Sequence, residues 1–251
     1  MLGARSSISI EQSGGNPVEW AAVTEMRKEV NESFKEGHRY CYASCGHELQ
    51  TEQQHRVHAL LQRLDKYRHE AIEAMDEEVA NAAFISLTLV EGLLNHLQLW
   101  LLLKADRMDE AWGQLVEAQD SVQLALRFVQ SELLQHWYME LLALEKLLFP
   151  PQQFVSSSHT FGYAECTICH QVYGECDHVA GRLYMGQLCV KQIHEITGAD
   201  HIALVDHPRD KGCRWTKVKR NGYMYCTLTH RRLEEAGDDR GDAEMCILRA
   251  R

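Results

Sequence analysis

Three cysteines and a histidine, Cys166, Cys169, Cys176 and His178, fall within thirteen residues of the 251-residue chain. A Cys-x2-Cys pair grips one ion from a tight turn, and a Cys-x-His pair can close the tetrahedron from a neighbouring strand or loop. Four protein ligands leave no coordination position for a substrate. The spacing therefore predicts a structural Zn2+, one per chain, and no catalytic centre. Cys189 either replaces His178 as fourth ligand or lies buried beneath the site, and Asp177 suits so soft a site less well than a thiolate.

Other residues invite chemistry and carry it less far. Cys176-Asp177-His178-Val179 is similar to the Asp-His-Val/Ile step of zinc-containing HNH nucleases, in which the histidine activates water. One imidazole cannot do that and hold a structural ion. The later histidines, His194, His201, His207 and His230, have no Asn-x-His context. His38, Cys41, Cys45 and His47 could form a second metal site, but their spacing is unusual and buried cysteine is a common core filler. Glu52-x2-His55 is half of a di-iron motif that needs two copies, and His69, Glu70 and Glu73 read as an exposed charged face.

The elements that must position these groups divide the chain. Residues 1–150 carry 13 Lys/Arg against 23 Asp/Glu, and residues 151–251 carry 13 against 13. Apolar residues recur at helical spacing through the first part, as in the stripe Val57, Leu60, Leu61, Leu64, Tyr67, Ala71 and Ala74. Helices are expected near 18–36, 50–76, 79–104 and 109–148, the last broken near Ser131. Gly37 is expected to end the first helix, and Asp106 or Asp109 to cap the fourth. Residues 107–127 have the alanine spacing of one tetratricopeptide-like hairpin, without a second copy. Pro150 and Pro151 stop the last helix, and residues 152–160 read as a serine-rich linker.

The second part has short β-favouring runs at 201–205, 213–219 and 223–229. Arg220-Asn221-Gly222 is a hairpin turn signal. A three-residue loop would put Thr216, Val218, Met224, Cys226 and Leu228 on one face and Trp215, Lys217, Lys219, Tyr223 and Tyr225 on the other. A two-residue turn would scramble them. Residues 209–232 hold eight bases and one acid. That patch fits DNA or RNA, with Lys217, Lys219, Arg220, Arg231 and Arg232 meeting phosphates and Trp215, Tyr223 or Tyr225 stacking on bases. It equally fits an acidic protein surface, including the helical part of its own or a second chain.

Residues 1–16 read as a frayed tail without a signal-peptide core, and 82–103 is interrupted by Glu91, Asn95, His96 and Gln98, as suits a bundle helix and not a membrane span. Nine cysteines, an odd number without an export signal, point to reduced thiols and a cytoplasmic setting. The expected fold is mainly α: a tail at 1–16, a helical bundle at 17–152, and a small zinc-bound α+β module with a β-hairpin at 153–251.

Cys166-Thr167-Ile168-Cys169, Tyr173, Cys176-Asp177-His178, Gly181, Tyr184, Gly186 and Cys189, followed by 201–208, resemble a small cysteine-rich module of phage head-morphogenesis-type and uncharacterised bacterial proteins. The likeness spans roughly 50 residues of the C-terminal part; it implies a zinc-knuckle fold and a bacterial or phage origin, and no activity. Arg209, Asp210 and Lys211 depart from the small or acidic residues usual after that proline. The expected function is a non-enzymatic adaptor or scaffold in a phage-related or antiphage defence assembly, joined to a protein partner or a second copy through the bundle. The alternatives are nucleic-acid binding through the hairpin and an HNH-like metal-dependent nuclease.

Overall fold

The computed structural model describes residues 17–236 and 243–245. Five helices come first: α1 (Pro17–His38), α2 (His47–Glu73), α3 (Glu77–Lys104), α4 (Met108–Leu126) and α5 (Glu132–Leu148). A smaller, strand-containing part follows and carries the Cys/His cluster. By contact the chain forms two compact units. One comprises the helices through Leu142 with Glu165–Gln192; the other comprises Ala143–Ala164 with the chain from Ile193 onward. The Cys/His segment thus groups with the helices, whereas the sequence reading joined it to the hairpin in one 153–251 module.

In the helical unit α3 packs against α1, α2 and α4. Its buried residues lie all round the helix, including Ala83, Leu93, His96, Leu97 and Leu99. A helix apolar on every side must be enclosed by its neighbours. By length and composition α3 is also able to cross a membrane, but 72% of its most apolar window is buried inside the protein.

The ends of the helices differ from expectation in instructive ways. Asp106 is not the N-cap residue of α4. It adopts a left-handed φ of 58° just past the end of α3, where its N–H reaches Leu103 O and that of Arg107 reaches Leu102 O, the paired bonds of a C-terminal cap. Arg107 occupies the N-cap of α4 without a side-chain bond. Asp76 caps α3 instead, accepting from Val79 N at 3.0 Å. Gly37 is the penultimate residue of α1, which ends at His38, one residue past the expected stop; an added Cβ there would sit 2.8 Å from Leu93 Cδ2, so the glycine also permits close helix approach. The expected break near Ser131 is present, and Ser131 Oγ accepts from Leu134 N at 3.4 Å.

The strands are β1 (Phe154–Cys166), β2 (Leu183–Tyr184), β3 (Gln187–Leu188), β4 (Lys191–Val205), β5 (Trp215–Arg220), β6 (Tyr223–Cys226), β7 (Arg232–Ala236) and β8 (Ala243–Met245). β1 pairs with β4, β2 with β3, and a four-stranded sheet runs β7-β6-β5-β8. The linker expected at 152–160 is mostly β1. Pairing overrides its serine-rich composition: Thr197 Oγ1 lies 3.3 Å from Thr160 Oγ1, and Tyr163 stacks on His194 at 5.1 Å.

The hairpin turn is the two-residue form. Asn221 and Gly222 both have positive φ, 50° and 80°, and Arg220 is paired with Tyr223, as a type I′ turn requires. Lys217 lies opposite Cys226, Lys219 opposite Met224, and Val218 opposite Tyr225. Lys217 and Lys219 therefore share a face with Met224 and Cys226, while Tyr223 and Tyr225 share the other with Val218 and Arg220. The expected face uniting Lys217 and Lys219 with both tyrosines is not formed.

Candidate metal centre

β1 ends at Cys166, and the next residues fold back at once. Cys166 N donates to Gln171 O and His170 N to Cys166 O, both at 2.9 Å, and Glu165 bridges Val172. Ile168 and Cys169 direct backbone N–H groups at the Cys166 sulfur. Burial opposes ionisation of that thiol, yet those two N–H groups and the Cys169 and Cys189 thiols outweigh it and bring the Cys166 pKa down to about 6. Those N–H groups favour the Cys166 thiolate, the form a metal ligand takes.

The loop with Cys176 and His178 is tied down by two phenols. Ala180 N donates to Tyr173 Oη and Val179 N to Tyr184 Oη, each at 3.0 Å. The His178 ring stands edge-on to Tyr184 with centroids 4.8 Å apart. The ligand atoms of Cys166, Cys169, Cys176 and His178 lie within 4.8 Å of one another, so the group can hold a metal ion. His178 Nδ1 is buried without a hydrogen-bond partner. An unsatisfied buried imidazole nitrogen beside three thiols is the arrangement a ligand set has when its bonds point at an ion.

Cys189 completes the neighbourhood. It is wholly buried, with its Sγ 3.8 Å from Cys166 Sγ. Burial first, then the Cys166, Cys176 and Cys169 sulfurs, push its thiol up to about 11. The hairpin β2–β3 holds the segment to the helices. Gly186 N donates to Asn81 Oδ1 at 2.8 Å, Arg127 Nη2 donates to Gly181 O at 3.0 Å, and a Cβ on Gly186 would lie 2.9 Å from Ala80 O. Tyr173, Gly181, Tyr184 and Gly186 thereby position the centre without ligating.

Among the described residues this is the one Cys/His/Asp/Glu group close enough for a metal. His38, Cys41, Cys45 and His47 are not gathered into a second. His38 Nε2 meets Glu140 Oε2 at 3.1 Å, Cys41 donates to Gly37 O, Cys45 to Arg39 O, and His47 is exposed. Glu52 pairs with Arg56 on the surface, and His55 is exposed. A buried polar pair in the bundle, in which Trp137 Nε1 donates to His96 Nδ1 at 3.1 Å, is barely legible in the sequence. Its only trace was a histidine interrupting an apolar run.

The basic segment is partly spent inside its own unit. Arg214 is 3% exposed, with Nη1 bonded to Thr227 Oγ1 at 3.1 Å and Gln152 Oε1 at 3.3 Å, and Lys211 pairs with Glu145. Trp215, Lys217, Lys219 and Tyr225 are half-buried, whereas Arg220 and Tyr223 are exposed. Arg232 lies opposite Tyr225 in register, and its guanidinium sits 3.4 Å from the Tyr223 ring centroid. An arginine-tyrosine face of Arg220, Tyr223, Tyr225 and Arg232 stands where a lysine-tyrosine face was expected.

No protein-family model, characterised protein or solved structure matches the chain.

Proposed function

We propose that the protein is a non-enzymatic adaptor or scaffold in which one Zn2+ closes the Cys/His knuckle and stiffens a recognition surface. The observation carrying this reading is the convergence of three thiols and an orphaned imidazole within 4.8 Å. Such a set fills a tetrahedron and leaves no position for a reacting molecule. Burial of Cys166 and the phenol-anchored loop favour structural use, since an HNH-type histidine would have to face water. The zinc-knuckle resemblance adds a phage-related or bacterial defence setting, and the odd number of cysteines a cytoplasmic one, with a protein partner or a second copy engaged through the helices.

Metal content measured by plasma mass spectrometry on protein purified without added metal tests this. One zinc per chain, lost in Cys166→Ser/Cys169→Ser, is expected. Absence of zinc from the unaltered protein, or divalent-dependent DNA cleavage abolished by His178→Ala with folding retained, would overturn it.

A second reading, nucleic-acid binding, rests on the exposed Arg220, Tyr223 and Arg232 beside Tyr225. Guanidinium groups among aromatic rings suit a single strand, whose phosphates and bases they can meet together. Salt-sensitive binding of single-stranded DNA or RNA, lost in Arg220→Ala/Arg232→Ala, is its signature.

A further inference from the structure

We propose that Cys189 is an alternative fourth ligand of the metal centre, able to close it when His178 lets go; the inference rests on the metal reading above. A tetrahedral zinc with sulfur at about 2.3 Å separates two bound thiolates by roughly 3.8 Å, and Cys189 Sγ stands 3.8 Å from Cys166 Sγ. The backbone around Cys189 is fastened to the knuckle itself. Thr167 N donates to Val190 O at 3.2 Å, Val190 N to Thr167 Oγ1 at 2.8 Å, and Thr167 Oγ1 to Leu188 O at 3.3 Å. Cys189 N donates to Arg182 O at 2.9 Å and its carbonyl accepts from Gly181 N at 2.7 Å. A sulfur so held, beside Thr167 and therefore beside Cys166, does not depend on the His178 side chain for its place.

Five donors therefore serve four positions. His178 is half-buried on a loop whose neighbours Asp177 and Val179 are exposed, and Cys189 is wholly enclosed. The imidazole is the one donor of the five that is not a thiol, and its side chain can rotate out of the set without a shift of the backbone. In the exchange the metal–nitrogen bond to His178 breaks, a metal–sulfur bond to Cys189 forms, and the thiol proton passes to solvent; nothing is oxidised or reduced. Three thiolates and an imidazole become four thiolates, and the centre gains one negative charge. The His178 side chain can then turn away without loss of the ion, while Cys176 on the same loop stays bound and Val179 N stays on Tyr184 Oη.

Cobalt(II) substitution of the full chain under reducing, oxygen-free conditions reads the ligand set directly. His178→Ala, a change on an exposed loop, and Cys189→Ala are each expected to keep one tetrahedral cobalt per chain. Thiolate-to-cobalt charge-transfer absorption should be higher in His178→Ala than in Cys189→Ala by about a third, four thiolates against three. The double variant should bind cobalt more than about 100-fold more weakly. Loss of cobalt from His178→Ala, with Cys189→Ala matching the unaltered protein, overturns the proposal and leaves the metal centre standing. Failure of the unaltered chain to bind tetrahedral cobalt overturns both.

Discussion

Cys166 stands where β1 gives way to the knuckle, and two backbone N–H groups favour its thiolate. Cys166→Ser/Cys169→Ser, which leaves three donors even with Cys189 counted, should abolish metal binding and lower thermal stability as chelation does; a melting curve unchanged by the double substitution would refute a closed structural centre. His96 offers a separate test in the bundle. Burial, reinforced by His38 and opposed by Glu140, lowers its pKa from 6.5 to about 3. The unfolded chain takes up this proton below about 6.5 and the folded chain only near 3, so stability falls as pH falls through that window, with a slope approaching ~1.4 kcal/mol per pH unit. His96→Gln should flatten the denaturation free energy between pH 6 and 4 relative to the unaltered protein, and an identical slope would refute the assignment.

Two turns decide how the elements meet. Gly222 has a left-handed φ and nothing within 4 Å of an added Cβ, so Gly222→Ala should cost about 1 kcal/mol through backbone strain alone. Gly186 combines a φ of 69° with the Ala80 carbonyl 2.9 Å from an added Cβ. Gly186→Ala should therefore be the more damaging, and urea titrations of both variants will rank them. The two-residue turn also redirects the nucleic-acid test. Lys217 and Lys219 share a face with buried Met224, so Arg220→Ala/Arg232→Ala should weaken any strand binding more than Lys217→Ala/Lys219→Ala.

At the scale of the molecule, the segment Glu165–Gln192 groups with the helices and is anchored by side chains of Asn81 and Arg127. Chelation should release that segment while most helical signal in far-ultraviolet circular dichroism survives, because the core of α3 is built from other residues. Hydrogen exchange measured with and without chelator will check this: protection should fall in 165–192 and persist across 83–102. Collapse of protection in both would mean that the helices fold only with the metal present.

Local spacing determined a good deal by itself. Cys-x2-Cys and Cys-x-His can reach one ion because a few residues of backbone bring them together, and the three-four stripe of Val57, Leu60 and Leu64 commits α2 to a buried face wherever it packs. The Ser131 break and the hairpin were likewise carried by short-range chemistry. Tertiary structure decided what depends on partners distant in sequence. Residues 154–160 became strand because β1 pairs with β4. Gly37 lies where Leu93 leaves no room for a Cβ, and Arg214 was withdrawn from the basic patch by Thr227 and Gln152. Cys189 came within 3.8 Å of Cys166 through a return of the chain whose register is set by Thr167 and the helices, and no spacing along the sequence encodes that return.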